Sequence, residues 1–250
     1  MVLQASLDAG ILTLVLSRPE KRNALSTPML DALHQELERA ELDAAVRVVA
    51  IRGAGKDFCA GADLEELLAS ADRSPEENEQ TALHLGTLFL RIRRLPKPVV
   101  AVVHGRALAG GAGLASACDL VLAAEGARIG YPEIQRGFVP AMVMTMLRRL
   151  VGEKVAFDLA ATGRVLTAAE AAGLGLVSRV IPDAAFEEQV GETLAALAGT
   201  SATAMAFTKR QFYELEGKGF EEGIRLGARV NALARATPDF RAAIAGFLKK

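Results

Sequence analysis

Tryptophan is absent from the sequence, and tyrosine and cysteine occur only twice each. The two cysteines, Cys59 and Cys118, make no disulfide framework. The three histidines (His34, His84 and His104) are scattered without metal-ligand spacing, so no metal site is expected. Neither sign of charge is in excess: 29 basic and 30 acidic residues leave a net charge of −1. That balance excludes a general field able to gather nucleic acid or an anionic membrane. No apolar run approaches the roughly 20 residues needed to cross a bilayer. The amino terminus, Met-Val-Leu-Gln-Ala-Ser-Leu-Asp, lacks both the basic-then-apolar layout of a secretory signal and the arginine-rich character of a transit peptide. A soluble protein of a reducing, cytoplasmic compartment is the expectation.

Hydrocarbon is what the chain has in quantity. Hydrophobic residues make up 51% of 250 positions, which suits one large α/β domain or two small ones. Dense β-branched and aliphatic runs predict strands at residues 11–16, 47–52, 99–103 and 119–124, with a strand-like stretch at 175–181. Met29, Leu30, Leu33, Leu37 and Ala40 recur at helical spacing behind Pro28, with Ser26 or Thr27 able to cap them. A further helix is predicted from Leu64, a loop or weak helix over 71–78, and a longer helix over 81–94 stopped by Pro96 and Pro98. Helices then dominate from Ala141, ending in four over 184–198, 202–215, 220–236 and 239–248. Short strands alternating with helices argue for an α/β fold with a helical carboxy-terminal section.

Three stretches carry chemistry. The strand at 99–103 runs into Gly105-Arg106-Ala107-Leu108-Ala109-Gly110-Gly111-Ala112-Gly113, where small residues open a helix. Packing rarely asks for this, because each helical Gly costs roughly 1 kcal/mol against Ala. Small residues let a ligand touch the backbone and meet unpaired first-turn N–H groups. A tight helix–strand crossing explains such a turn equally well when it is taken alone. Cys59-Ala60-Gly61-Ala62-Asp63 repeats the theme between a strand and a helix. Two convergent N–H groups from these turns would make an oxyanion hole. The third stretch, Tyr131-Pro132-Glu133-Ile134, sets an acid in apolar surroundings, where a raised pKa would suit it to general acid–base work.

Together these stretches resemble the enoyl-CoA hydratase/isomerase (crotonase) superfamily. The likeness also takes in Arg-Pro-x-x-x-Asn-Ala-Leu at 18–25, Lys97-Pro98-Val99-Val100-Ala101, Cys118-Asp119, Thr162-Gly163-Arg164, Ala169-Glu170-Ala171 and Gly173-Leu174-Gly175-Leu176-Val177, so it runs along essentially the whole chain. It implies a spiral of ββα units over residues 1–195 and a helical trimerisation region over 196–250. The ligand it implies is an acyl-CoA thioester, with coenzyme A as part of the substrate and no separate cofactor. It places the oxyanion hole on the N–H groups of Ala60 and Gly110, and the acid/base on Glu133. The CoA thioester is placed along Arg22, Ala24, Ala60, Gly61, Ala62, Asp63 and Leu64, with Gly110 and Gly113 beside it. Homotrimers or homohexamers are expected.

One departure matters most. Hydratases of this family usually carry a glutamate at the position of Gly113 and another at the position of Glu133; here only Glu133 stands. One carboxylate can still hydrate a 2-enoyl-CoA by taking a proton from water and passing it to C2. It can alternatively shuttle a proton between C4 and C2, as a Δ3-Δ2 isomerase does. The Ala-Gly-Gly-Ala-Gly-Leu turn looks closest to single-glutamate hydratases, including those of the methylglutaconyl type, so hydratase leads. A catalytically weak acyl-CoA- or RNA-binding subunit is the alternative outside catalysis. Asp63 reads better as a helix cap than as a reacting group, and His104 as a structural histidine. Tyr131, Phe138, Met142 and Met144 could line an acyl pocket or pack in the core.

Overall fold

The computed structural model describes residues 1–249. Strands β1 (Leu3–Asp8) and β2 (Ile11–Leu16) form an antiparallel hairpin. Ala9 and Gly10 turn it, both at positive φ (46° and 83°), as a two-residue hairpin loop of matching twist requires. Helix α1 (Thr27–Leu42) leads to β3 (Val48–Gly53), and α2 (Leu64–Ala69) and α3 (Pro75–Arg94) lead to β4 (Val99–Val103). Then come β5 (Arg106–Leu108), α4 (Gly110–Ala117), β6 (Leu120–Ala124) and β7 (Arg128–Gly130). Helices α5 (Ala141–Val151) and α6 (Glu153–Thr162), strand β8 (Val165–Thr167), α7 (Ala168–Gly173) and β9 (Arg179–Ile181) follow. Helices α8 (Phe186–Ala198), α9 (Ala202–Glu214), α10 (Phe220–Arg235) and α11 (Pro238–Phe247) complete the fold.

The main sheet has the order β1-β2-β3-β4-β6-β9 and is parallel from β2 onward. Each residue of β4 is buried, and its alternate side chains enter two separate cores. Val99, Ala101 and Val103 face Leu33 and Leu37 of α1, Leu88 and Ile92 of α3, and Leu114 of α4. Val100 and Val102 face Phe186, Val190 and Leu194 of α8. Burial on both faces is why β4 reads as an unbroken valine run rather than an alternation. A second sheet, β5-β7-β8, joins β5 and β7 in parallel and β7 and β8 antiparallel.

Several sequence expectations shift. Helix α3 begins at Pro75, inside the stretch read as loop or weak helix, because Ser74 and Glu77 form a reciprocal capping box. The strand-like stretch at 175–181 pairs only over Arg179–Ile181. Ser26 gives α1 no side-chain cap; Glu66 of α2 instead accepts from both the N–H and the hydroxyl of Thr27, at 2.9 Å each. The division after residue 195 falls within α8, whose buried face covers the main sheet, so the helical section departs from the sheet only at α9.

Helix α9 is fastened by charge. Lys209 is buried, and its Nζ donates to Ile92 O (2.8 Å), Lys97 O (2.9 Å) and Asp119 Oδ2 (2.6 Å). The Tyr213 hydroxyl donates to Asp119 Oδ1 at 2.8 Å, and the Val99 N–H donates to Asp119 Oδ2 at 2.7 Å. Burial pulls the Lys209 ammonium below its ordinary range, and Asp119 opposes the pull. Replacing Lys209 by Met would leave Asp119 and two carbonyls without their cation. Breaking a buried pair from one side costs about 3–5 kcal/mol. Urea denaturation of Lys209→Met should register a loss of that order, and an unchanged midpoint would show that α9 is held by packing alone.

Candidate active site

Three backbone segments run side by side in parallel. The Cys59 N–H donates to Arg106 O (3.0 Å) and the Leu108 N–H donates to Cys59 O (2.9 Å), which lays the 57–62 segment along β5. Strand β5 in turn pairs with β7, Leu108 opposite Gly130, and the Ala109 N–H donates to Gly130 O at 2.9 Å. At the carboxyl ends of these segments stand Ala62, Gly110 and, in a 3-10 turn (Pro132–Arg136), Glu133. Carboxyl ends of parallel strands are where open α/β sheets bind ligands.

The hydrogen-bond register decides which N–H groups are free. Leu25 brackets Ala62: its N–H donates to Gly61 O (2.8 Å), and its carbonyl accepts from the Asp63 N–H (3.1 Å). In a parallel bridge this pattern turns the bracketed residue's own N–H the other way. Neither the Ala62 N–H nor the Gly110 N–H donates to another group among the described residues. The two lie close together: a Cβ on Gly110 would sit 3.6 Å from Ala62 N. The Ala60 N–H, the expected donor, is instead bonded to Arg22 O at 3.0 Å. Gly61 (φ +97°) turns the chain between Ala60 and Ala62, so the unpartnered donor lies two residues further on. Gly61 could not be larger, because a Cβ there would meet the Ala109 methyl at 2.8 Å.

Glu133 is 8% exposed, and its buried Oε2 has no hydrogen-bond partner. Burial holds its carboxyl above the ordinary glutamate range, with Arg136 among the groups that oppose this. Above α4, helices α3 and α5 close with hydrocarbon. Leu85 Cδ2 would lie 3.6 Å from a Cβ on Gly110, and Met142 Sδ 3.3 Å from a Cβ on Gly86. A Cβ on Gly113 would lie 2.7 Å from Val143 Cγ2 and 3.2 Å from Phe89 Cζ. Val143 and Phe89 therefore occupy the space that a side chain at position 113 would enter. Gly113 supplies room for that packing. Phe138 and Met144 lie on the surface, whereas Tyr131 is fully buried beneath the turn that carries Glu133.

The loop at 18–25 is built around Asn23, fully buried, whose Oδ1 accepts from Arg18 N (3.0 Å) and whose Nδ2 donates to Ala54 O (2.9 Å) and Asp57 O (2.7 Å). This scaffold presents Arg22 at the surface in a left-handed conformation (φ 51°). Ala24 is buried, and its carbonyl accepts from Arg18 Nη1 at 3.0 Å. Asp63 caps α2 through the Glu65 N–H (3.0 Å) and pairs with Arg18 Nη2 (2.8 Å). Burial works against its charge, but Arg18 and the α2 N–H groups hold the Asp63 carboxyl below its usual range. Leu64 is exposed in the first turn of α2, and Lys21 pairs with Glu65. His104 Nε2 lies 2.9 Å from Gly55 O, away from this cluster.

A model of the enoyl-CoA hydratase/isomerase family matches residues 6–250. The chain belongs to this family. It is 46% identical over 235 residues to a Thermus thermophilus protein provisionally named an enoyl-CoA hydratase, covering 94% of this chain and 93% of that one. It is 35% identical over 241 residues to the 2,3-dehydroadipyl-CoA hydratase of Escherichia coli, covering 96% and 92%. Among solved structures, the enoyl-CoA hydratase of Mycobacterium smegmatis superposes with a TM-score of 0.95 at 34% identity, covering 100% of this chain and 96% of the other. The mixed α/β core and carboxy-terminal helices are thus those of crotonase structures.

The packing at Gly113 is open to direct test. Adding a methyl there forces Val143 to move, and overpacking of a filled core costs about 1–3 kcal/mol. Gly113→Ala should destabilise by that order in urea titrations, whereas Gly113→Ala combined with Val143→Ala should cost less than the two single changes summed. Strict additivity would show that positions 113 and 143 do not share the space.

Proposed function

We propose that the protein adds water reversibly across a 2-enoyl-CoA thioester, with Ala62 and Gly110 as the oxyanion pair and Glu133 as the one acid/base. The observation that carries this reading is a pair of unpartnered N–H groups lying close together, with a buried carboxyl whose Oε2 has no partner on the turn that follows β7, the strand paired with β5. The thioester oxygen would accept from both N–H groups, and Gly110 adds the positive end of the α4 dipole. Polarised in this way, the conjugated thioester becomes electrophilic at C3. Ionised Glu133 takes a proton from water as its oxygen bonds C3, and the electron pair of the double bond moves onto the thioester as an enolate. Glu133 then gives that proton to C2, and the enolate returns to a thioester. One proton is taken and one given, so the carboxylate ends as it began. Burial favours its neutral form, which makes the first transfer easier and the second harder.

A second reading, Δ3-Δ2 isomerisation, is favoured by one specific feature: Val143 and Phe89 close position 113 with hydrocarbon. A site with no room for a second acid there suits a proton shuttle from C4 to C2 without water. Incubating a 2-enoyl-CoA in oxygen-18 water separates the two. Labelled 3-hydroxyacyl-CoA supports hydration, and unlabelled shift of a 3-enoyl-CoA with no hydration supports isomerisation. The CoA moiety is assigned to Arg22, Ala24 and the 60–64 segment. Homotrimers or homohexamers are supported by α10 and α11, which bury no residue within the chain and leave Phe220, Ile224, Phe240, Ile244 and Phe247 exposed. A soluble cytoplasmic setting fits the finding that no helix among the described residues is long and apolar enough to cross a membrane. An acyl-CoA- or RNA-binding subunit without turnover is the competing class, and the charge balance gives RNA no general attraction.

Glu133→Gln distinguishes them. Turnover should fall by roughly 10²- to 10⁴-fold, the usual worth of a general acid–base group, while acyl-CoA binding persists; unchanged turnover would refute the assignment. In the wild type, kcat/KM should decline as pH falls through the raised Glu133 pKa, at higher pH than an ordinary glutamate would give. The stability effect has the same origin. Ionising Glu133 is costlier in the folded chain than in the unfolded one, so relative stability is lost as pH rises through the folded pKa. Glu133→Gln escapes that loss and should melt above the wild type at neutral pH, with the difference fading in acid.

A further inference from the structure

Tyr131 is the largest of the fully buried side chains, and its hydroxyl meets one partner among the described residues, Ser116 Oγ at 3.0 Å. The position of this bond is what matters. Ser116 lies on α4, six residues past Gly110, or about 9 Å along the helix axis. Tyr131 stands immediately before the turn of Pro132–Arg136, two residues ahead of Glu133. The last backbone link between β5 and β7 is the bond from the Ala109 N–H to Gly130 O. Beyond it, no other hydrogen bond among the described residues joins the 131–138 segment to α4. The turn's other side-chain tie points elsewhere: Gln135 Nε2 donates to Thr162 O (3.3 Å) and Gly163 O (3.1 Å), at the end of α6.

We propose that Tyr131 is a positioning residue, whose bond to Ser116 fixes the Glu133 carboxyl relative to the Gly110 N–H so that acid and oxyanion donor stay in register. The inference rests on the reading that Glu133 and the N–H pair act on one thioester. Its physical basis is that these groups sit on different elements: Gly110 opens a helix, and Glu133 hangs on a short 3-10 turn. Besides the turn's own 3-10 bonds, the Gly137 N–H donates to Ile134 O (3.2 Å) and the Phe138 N–H to Glu133 O (3.1 Å), all of them local to the turn. A misplacement on the scale of 1 Å is enough to cost a site about 10²-fold in rate. The phenol, unlike the half-buried Ser116, has no exit to water: breaking the bond strands a buried hydroxyl. The fully buried phenol, with its pKa raised to about 12 chiefly by burial, remains neutral through the working pH range and serves only as a hydrogen-bonding strut.

Tyr131→Phe keeps the ring and removes only the hydroxyl. It should lower kcat on a 2-enoyl-CoA by roughly 10- to 100-fold, with KM within about 3-fold of the wild type, because substrate contacts are intact while the acid is displaced. Ser116→Ala should produce the same kcat loss, the double variant no more than either alone, and Ser116→Thr, which keeps a hydroxyl, should retain wild-type kcat. If Tyr131→Phe does not fold, the Ser116 variants carry the same test. A purely structural bond would lower the melting temperature and leave kcat unchanged at temperatures well below melting, and that result overturns the proposal. Glu133→Gln assayed in parallel separates the two levels. An inactive Glu133→Gln with fully active Tyr131→Phe and Ser116→Ala removes the positioning role alone; a fully active Glu133→Gln removes the functional reading and the positioning role with it.

Discussion

The register in which Leu25 brackets Ala62 constrains everything else in the site. Because Leu25 takes the carbonyl of Gly61 and the N–H of Asp63, the Ala62 N–H is turned toward Gly110 and away from the loop. A shift of one residue would consume the Ala62 donor in the bridge and aim a neighbour's instead, since alternate backbone groups of an extended segment face opposite ways. The loop from 18 to 25 therefore does more than carry a basic side chain at Arg22. Asn23 sits buried with its amide bonded to Arg18, Ala54 and Asp57, and so fixes where Leu25 lies. The direction of a free N–H on one segment is thus set by an amide side chain on another.

Maintaining this geometry is unfavourable locally. Ala109 holds φ 51° and ψ −126° at the head of α4, a region sparsely used by residues with a side chain, at a cost of about 1–3 kcal/mol. The conformation lets the chain leave β5, donate to Gly130 and point the next N–H toward Ala62. Gly61, Gly110 and Gly113 add helix- and turn-destabilising flexibility, and Glu133 leaves an oxygen buried without a partner. These features cluster in one place. They are tolerated because β4 beside them is buried on both faces in two hydrocarbon cores, where each well-packed side chain contributes roughly 1.5–3 kcal/mol. Rigid strands hold strained turns: the division between scaffold and site is visible in where the stability comes from.

How much of this was legible in the sequence follows from the range of each interaction. The long strands β2, β3, β4 and β6 declare themselves as dense β-branched and aliphatic runs, and the helix at 27–42 by its helical period. Strands β5, β7 and β8 have three residues each, too short for any period to show, although two of them position the site. Glu133 and Gly110 stood out because an acid in apolar surroundings and glycines in a helix start both violate local preference. The choice between Ala60 and Ala62 could not be read in advance: both are small residues in the same motif, and only the pairing of the segment with Arg22 and Leu25 separates a bonded N–H from a free one. Leu85, Phe89 and Val143 look like ordinary core residues in sequence, because their meeting over α4 is a tertiary fact.

Gly113 changes meaning once that meeting is seen. From the sequence it is a missing acid, a subtraction from a two-carboxylate site. In the fold it is one half of an exchange, in which bulk absent from α4 is supplied by Val143 from α5 and by Phe89 from α3. The consequence is electrostatic as well as steric. Hydrocarbon at that position brings no second carboxylate, and Glu133 is shifted toward its neutral form by its own burial. A lone acid that must both accept and return a proton is better served by a pKa closer to neutrality than by a fully solvated carboxylate. Under the proposed reading, a buried Glu133 is suited to such a double role, whichever carbon receives the proton.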